Sequence, residues 1–574
     1  MKKLFQVALA GLTLIASPRL SLAQEPPDAS MNMGGMTMDH SPGTAPSAMM
    51  IIPMMKNPML PGMAGMRPKT TPWLPGAGID PSKLPEATPR EELTPKDGDT
   101  LDIKAVLVRR TLKEKPHVMY AFNGQYPGPT LRVKQNSTVY VRFTNTIDMP
   151  TSVHWHGIRL ENKSDGVPNK GTMKGTQDEV PPNGTFVYKL TFPDPGPFWY
   201  HPHVREDIQQ DLGLYGNIIV EPSDPAYYSA VNSEEIIMLD DILMDGDSLV
   251  PFGKEGADFA PMGRFGTMLL VNGQAQYHKP ASAGDVIRFV ITNVANTRTF
   301  NLNFGVPVKL VAGDQSRYEK ETMLDNIIIA PAQRLVVEAR YPKAGDYLIT
   351  NSVVALDHIM GEFFSATDTV GMIMAQAGAA KPDHAKEFAT LRTNATVKTE
   401  MDKLRAEFAR APDHEVLTAV EMKDLPIIML LFISIDTIYR APVEFTDAMS
   451  DMNWIGTSRE VRWIIKDKTS GKENMAVDWA PAKQGTYTKI RLINDIKAFH
   501  PMNHPIHMHG QRFVVISRDG HQVENLVWSD TVLLPVGQTV DILVENSNPG
   551  TWMFHCHISE HLESGMMMNY TVAP

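Results

Sequence analysis

Ten of the chain's 18 histidines fall into four short clusters: His154-Trp155-His156, His201-Pro202-His203, His504-Pro505-Ile506-His507-Met508-His509, and His555-Cys556-His557 followed by His561. In a β-strand residues i and i+2 point to the same face, so each His-x-His presents two imidazoles to one side of a sheet. One such pair is an ordinary packing or surface feature. Four that can surround a single cavity are a metal-ligand constellation. The single cysteine of the chain is Cys556. A lone cysteine is by default a small buried apolar group, but here histidines stand on both sides of it.

Such ligands need a rigid scaffold. From about residue 100 onward, short alternating runs of Val, Ile, Phe and Tyr recur between turn signals, as in Leu131 to Phe143, which is a β-sandwich pattern. A weak repeat runs through it. Asn123-Gly124 precedes the run Val139 to Asn145, Asn272-Gly273 precedes Asp285 to Asn293, and Tyr487 to Asn494 is a third copy. Three copies imply three related β domains. After Asn145 comes His154, and after Asn494 comes His504, but after Asn293 the matching strand reads Asn301-Leu302-Asn303, so the middle copy carries no ligands. The expected boundaries are 96–225, 226–375 and 425–574, with a charged linker at 376–424, helical from Lys398 to Arg410 and bounded by Pro382 and Pro412. The apolar run Ile427 to Ile435 reads as a buried strand.

The four histidine motifs, present in this order, resemble the signature segments of the multicopper oxidases, the group of laccases, ascorbate oxidases and bacterial copper-efflux oxidases. The resemblance covers residues 100–222 and 480–574, and reaches the middle copy only through the repeat. It implies an all-β fold of three cupredoxin-like Greek-key β-sandwich domains in one chain. It also implies an enzyme with four copper ions that draws single electrons from a reducing substrate and reduces O2 to water. By the same resemblance, His504, Cys556, His561 and Met566 hold the type 1 copper, with Met566 as weak axial ligand. His154 and His507 hold the type 2 copper; His156, His201, His203, His509, His555 and His557 hold the type 3 pair. Asp165, nine residues after His156, takes the place of the family's proton-relay carboxylate. Efflux oxidases carry a glutamate directly after the last type 1 histidine, whereas this chain has Leu562 and then Glu563, so Glu563 and Glu560 are the candidates for a second proton route.

The ends of the chain bear on where it works and on what. Lys2 and Lys3, an apolar run from Leu4 to Ala16, and Ser21-Leu22-Ala23 read as a signal peptide over residues 1–23, giving an exported protein, periplasmic or secreted, with no transmembrane anchor once cleaved. Residues 24–95 are rich in Pro, Gly and Met and are expected to be flexible; eleven of the 35 methionines lie between Met31 and Met66. Thioethers are soft ligands that suit Cu(I), so this segment reads as a collector of extra Cu(I), or otherwise as a passive linker. Met502, two before His504, matches the substrate methionine of efflux oxidases. Against that, His500 stands where those enzymes have an acid, and the linker holds only Met401 and Met422. Cu(I) is therefore favoured as reductant over the phenols and aromatic amines of a laccase. A copper-sequestering protein without turnover would not need Cys556 to join two centres. The net charge of -11 argues against nucleic acid as a partner.

Overall fold

The computed structural model describes residues 66–169, 175–357, 362–378, 380–436, 441–447 and 449–574. The expected signal peptide and all of the methionine-rich segment before Met66 lie outside the described residues. What is described is built from three pairs of sheets. In the first pair, a four-stranded sheet containing Thr100–Leu112 and Thr138–Asn145 faces a five-stranded one that ends in the strands Gly196–His201 and His154–His156. The second pair has six and five strands. The third has a larger sheet around Tyr487–Asn494 and a five-stranded sheet containing Met567–Ala573, Gly550–Cys556 and His504–Met508. Alternation decides which face is core: in Thr138–Asn145, Val139, Val141 and Phe143 are buried while Tyr140 and Arg142 face out.

The repeat has a physical cause at each landmark. Asn123 and Gly124 (φ 53° and 73°) and Asn272 and Gly273 (φ 52° and 75°) form two-residue turns that need positive φ twice. Each strand ending in the repeated asparagine lies parallel to the first strand of its own sandwich, with Ala105 opposite Asn145, Leu239 opposite Asn293 and Thr418 opposite Asn494. The buried asparagine amide then ties the next loop. Asn145 Nδ2 donates to Met149 O and Val180 O, Asn293 Nδ2 to Arg298 O and Ile329 O, and Asn494 Nδ2 to Met502 O and Leu534 O. In the outer sandwiches the loop held this way leads straight into His154 and His504.

Three expectations need correction. Residues 66–95, expected to be flexible, include Pro72–Trp73 paired with Phe252–Gly253 and Glu92–Leu93 paired with Thr130–Leu131. His414–Met422, placed by sequence within the linker, is that parallel first strand of the third sandwich, with Val416, Thr418 and Val420 buried. The third unit thus begins about ten residues earlier than expected; the charged neighbours Asp413 and Glu415 masked a regular alternation. The apolar run after Pro426 is not a strand but the helix Ile427–Asp436. Periodicity cannot separate the two for a short run that is apolar throughout. The residue that settles it is Pro426, whose carbonyl accepts from Met429 and Leu430 N–H in a first helical turn. The helix buries Met429 and Ile433 and leaves Ile427 and Leu431 exposed, the i, i+4 pattern of a one-sided helix.

Directly after His509 the chain turns at Gly510 (φ 60°), where an added Cβ would lie 2.2 Å from the Trp552 ring. Gly510→Ala is expected to cost about 1–3 kcal/mol for the forced backbone alone; a wild-type unfolding midpoint in the purified variant would contradict this reading of the turn.

Candidate metal centre

Strand register brings the histidine motifs together. His154 lies opposite His201 and His156 opposite Trp199; in the third sandwich His507 lies opposite His555 and Ile506 opposite Cys556. The two outer sandwiches meet on these strands. The rings of His154 and His509 stack at 3.9 Å between centroids and those of His156 and His507 at 3.7 Å. Eight fully buried imidazoles result: His154, His156, His201, His203, His507, His509, His555 and His557.

Seven of them are held from behind. His154 Nδ1 lies 2.7 Å from Asp165 O, His201 Nδ1 2.9 Å from Pro202 O, His507 Nδ1 2.9 Å from Asp530 O and His555 Nδ1 2.8 Å from Cys556 O. Carboxylates hold the others: Asp165 Oδ2 lies 3.0 Å from His509 Nδ1, Glu206 Oε1 3.1 Å from His203 Nδ1, and Asp530 Oδ1 3.1 Å from His156 Nε2. These contacts place the N–H outward and leave the other nitrogen as a lone pair aimed inward. The inward nitrogens, Nε2 of His154, His201, His203 and His507 and Nδ1 of His156, have no hydrogen-bond partner among the described residues. Leaving one buried polar atom unpaired costs about 1–3 kcal/mol, so five converging on one cavity call for cations. Burial, followed by repulsion from the neighbouring rings, pushes the proton affinities of His201, His203, His509 and His557 well below the usual imidazole range. They are neutral, the state that binds metal.

A second, smaller cluster lies on the same strand. Cys556 Sγ is 3.5 Å from His504 Nδ1 and 3.8 Å from His561 Nδ1. Met566, fully buried, sits across the strand pair, its carbonyl accepting from Cys556 N–H at 3.1 Å. Trp463 lies on the His561 ring at 4.1 Å and meets the His504 ring edge-on at 5.0 Å. Burial lowers His504 to about 3 and pushes the Cys556 thiol far up. A thiol there keeps its proton unless a cation displaces it. Two imidazoles and one thiolate form a donor set that suits copper.

The remaining expected residues are placed as follows. Asp165 braces ligands of both outer sandwiches, its carbonyl on His154 and its carboxylate on His509. Glu563, at the end of the helix Ser559–Glu563, is half-exposed, whereas Glu560 is fully buried, accepts from Thr297 Oγ1 at 3.1 Å and is raised to about 8 by burial and then by Asp207. Met502 is buried in the core that contains Cys556. Sequence reasoning did not find Asp530 or Trp463, because each meets its histidine only through folding, and it passed over Glu206, which stands three residues after His203.

With this geometry in hand, comparison with known proteins is specific. Sequence models of the multicopper oxidase family match residues 106–225 and 448–574. The multicopper oxidase MmcO of Mycobacterium tuberculosis is 27% identical over 476 residues, covering 78% of this chain and 81% of that protein. Copper resistance protein A of Escherichia coli is 24% identical, covering 78% and 88%. The crystal structure of a multi-copper oxidase from Pseudomonas thermotolerans superposes with a TM-score of 0.59 at 25% identity, covering 84% of this chain and all of that one. An all-β fold with curled sheets and two histidine clusters defines a copper-dependent oxidoreductase. The chain belongs to the multicopper oxidase family, whose reaction couples oxidation of a reducing substrate to reduction of O2.

Cys556→Ser removes the only sulfur that can form a short copper–thiolate bond in the smaller cluster. The expected outcome is loss of the intense blue absorption and of turnover, with an unfolding midpoint near that of wild type; a variant that stays blue refutes the placement.

Proposed function

We propose that this chain is an exported oxidase of Cu(I) that carries four coppers. His504, Cys556, His561 and Met566 hold the type 1 ion. His154 and His507 hold the type 2 ion, and His156, His201, His203, His509, His555 and His557 hold the type 3 pair. When bound, these ions supply the one-electron chemistry and the binding of O2. Cys556 joins the centres, since its sulfur belongs to one cluster and its covalent neighbours His555 and His557 to the other. Asp165 and Glu560 are the proton sources; Glu560 replaces Glu563 in this role because burial keeps it protonated near neutral pH, ready to donate.

Cu(I) as reductant rests on one observation above all: the core around Cys556 is built with methionine. Met262, Met429, Met449, Met452 and Met502 are buried in it, and Met66 and Met422 pack at its edge. Thioethers are soft, polarizable donors. The residues after Met66 stay near this core: Arg67 lies over the Trp454 ring at 5.3 Å and Lys69 Nζ donates to Asp424 O at 3.1 Å. Residues 31–66, with their eleven methionines, are read as a collector of Cu(I) through soft thioether donors. Residues 1–23 are proposed as the export signal; among the described residues no helix is long and apolar enough to cross a membrane.

Steady-state oxygen uptake on fully metallated protein tests the substrate. Deleting residues 31–65 is expected to lower kcat/KM for Cu(I) about tenfold, or ~1.4 kcal/mol, and to leave that for a phenol within about twofold. Equal losses on both substrates would count against a collecting role. Met566→Leu is expected to raise the type 1 potential, because a thioether donor is lost; a redox titration showing no rise removes Met566 as axial ligand.

A further inference from the structure

Among the described residues the middle sandwich adds no histidine to the eight-histidine cavity, yet one of its side chains reaches the edge of that cavity. Arg334 opens the strand Arg334–Arg340 and is fully buried. Its guanidinium grips Asp530 with two parallel bonds, Nη1 to Oδ1 at 2.6 Å and Nη2 to Oδ2 at 2.5 Å. The fork is itself fixed: Nε donates to Pro197 O of the first sandwich at 3.1 Å, Nη1 to Ala332 O at 3.1 Å and Nη2 to Asp314 O at 3.2 Å. Gln315, also from the middle sandwich, donates from Nε2 to Asp530 Oδ2 and to Gly157 O, both at 2.9 Å.

Asp530 faces the ligands on its other side. Its Oδ1 is 3.1 Å from His156 Nε2 and 3.5 Å from His507 Nδ1, and its carbonyl is 2.9 Å from that same Nδ1. One hydrogen-bonded chain thus runs from the middle sandwich through Asp530 to a histidine of the first sandwich and one of the third. Room for it depends on Gly157, where a Cβ would lie 2.5 Å from Asp530 Oδ2 and 2.6 Å from Arg334 Nη2.

We propose that Arg334 is a positioning residue for copper: by clamping Asp530 it turns His156 and His507 so that Nδ1 of the first and Nε2 of the second face the metal. Retention of copper in the eight-histidine cavity then depends on docking of the middle sandwich. The alternative for Asp530 is to be a ligand itself, since it lies with His156 and His507 in a group whose donor atoms are within 4.8 Å of one another. A bidentate guanidinium occupies both carboxylate oxygens in fixed directions, which suits an orienting group and not a metal ligand. Removing such an outer-shell partner typically weakens metal binding about 10- to 100-fold.

This inference rests on the assignment of the eight-histidine cavity to copper. The experiment loads wild type, Arg334→Gln and Arg334→Lys with copper under one protocol. Copper per chain, the type 2 electron paramagnetic resonance signal and the blue absorption are then measured, with unfolding midpoints of apo- and metallated protein. The expected result for Arg334→Gln is a retained blue band, a lowered copper count and a type 2 signal that is weakened or altered, with about 10- to 100-fold easier removal of copper by a chelator. Arg334→Lys, which keeps the charge but loses the fork, should fall between the two. Metallation should also raise the midpoint of the variant less than that of wild type. A full copper count with an unchanged signal, or equal drops of the apo and metallated midpoints, overturns the proposal. Should Arg334→Gln not fold, Arg334→Lys is judged by the same criteria. Wild type holding no copper beyond the blue site would instead sink the cavity assignment.

Discussion

The structure is organised around lone pairs that have nowhere else to go. Imidazoles packed ring against ring, neutral because burial and mutual repulsion deny them protons, point their free nitrogens into one cavity. In a protein that bound nothing there, this would be a concentrated loss of hydrogen bonding at the boundary of two sandwiches. With soft cations present the same arrangement becomes the tie between them. Neither outer sandwich supplies more than half of the eight rings, so the centre and the interface form together or not at all.

The scaffold reaches this end by repeating one local device. In each sandwich a buried asparagine at the end of a central strand fixes the following loop through two donated bonds. In the first and third sandwiches that loop delivers a histidine to the strand at the interface. In the middle one it delivers Phe300–Asn303, whose Asn301 bonds Ser352 O instead. The middle sandwich kept the device and lost the ligand. What it extends toward the eight-histidine cavity is the Arg334 fork on Asp530.

How much of this could be read from the sequence follows the range of the interactions. The ligand motifs were legible because strand periodicity places i and i+2 on one face, a rule needing only local order. The sandwiches were legible from alternation and from the Asn-Gly turns, whose positive φ values few other residue pairs tolerate. The strand His414–Met422 was missed because its charged flanks hide the alternation, although the repeat demanded a parallel partner for Tyr487–Asn494. The helix Ile427–Asp436 was missed because its first seven residues are all apolar and carry no period to read. Asp530 and Arg334 have no local signature at all, whereas Glu206, three residues after His203, had one that went unread. Arg334 and Asp530 are 196 residues apart in sequence and meet only once three units have docked.

The placement of Cys556 bears on why the two clusters can cooperate over many turnovers. The strand Gly550–Cys556 is paired on both sides, to His504–Met508 and to Met567–Ala573, so the sulfur and its two histidine neighbours are fixed by sheet hydrogen bonds and not by a loop. His557, just past the strand end, is still held by its N–H bond to Pro505 O at 2.7 Å. A lateral shift of this strand by one residue would turn every inward side chain outward, so the separation of the clusters cannot drift without breaking the sheet. His504 sits in the neighbouring strand at the opposite end from His507, which means that one pair of strands carries histidines of both clusters.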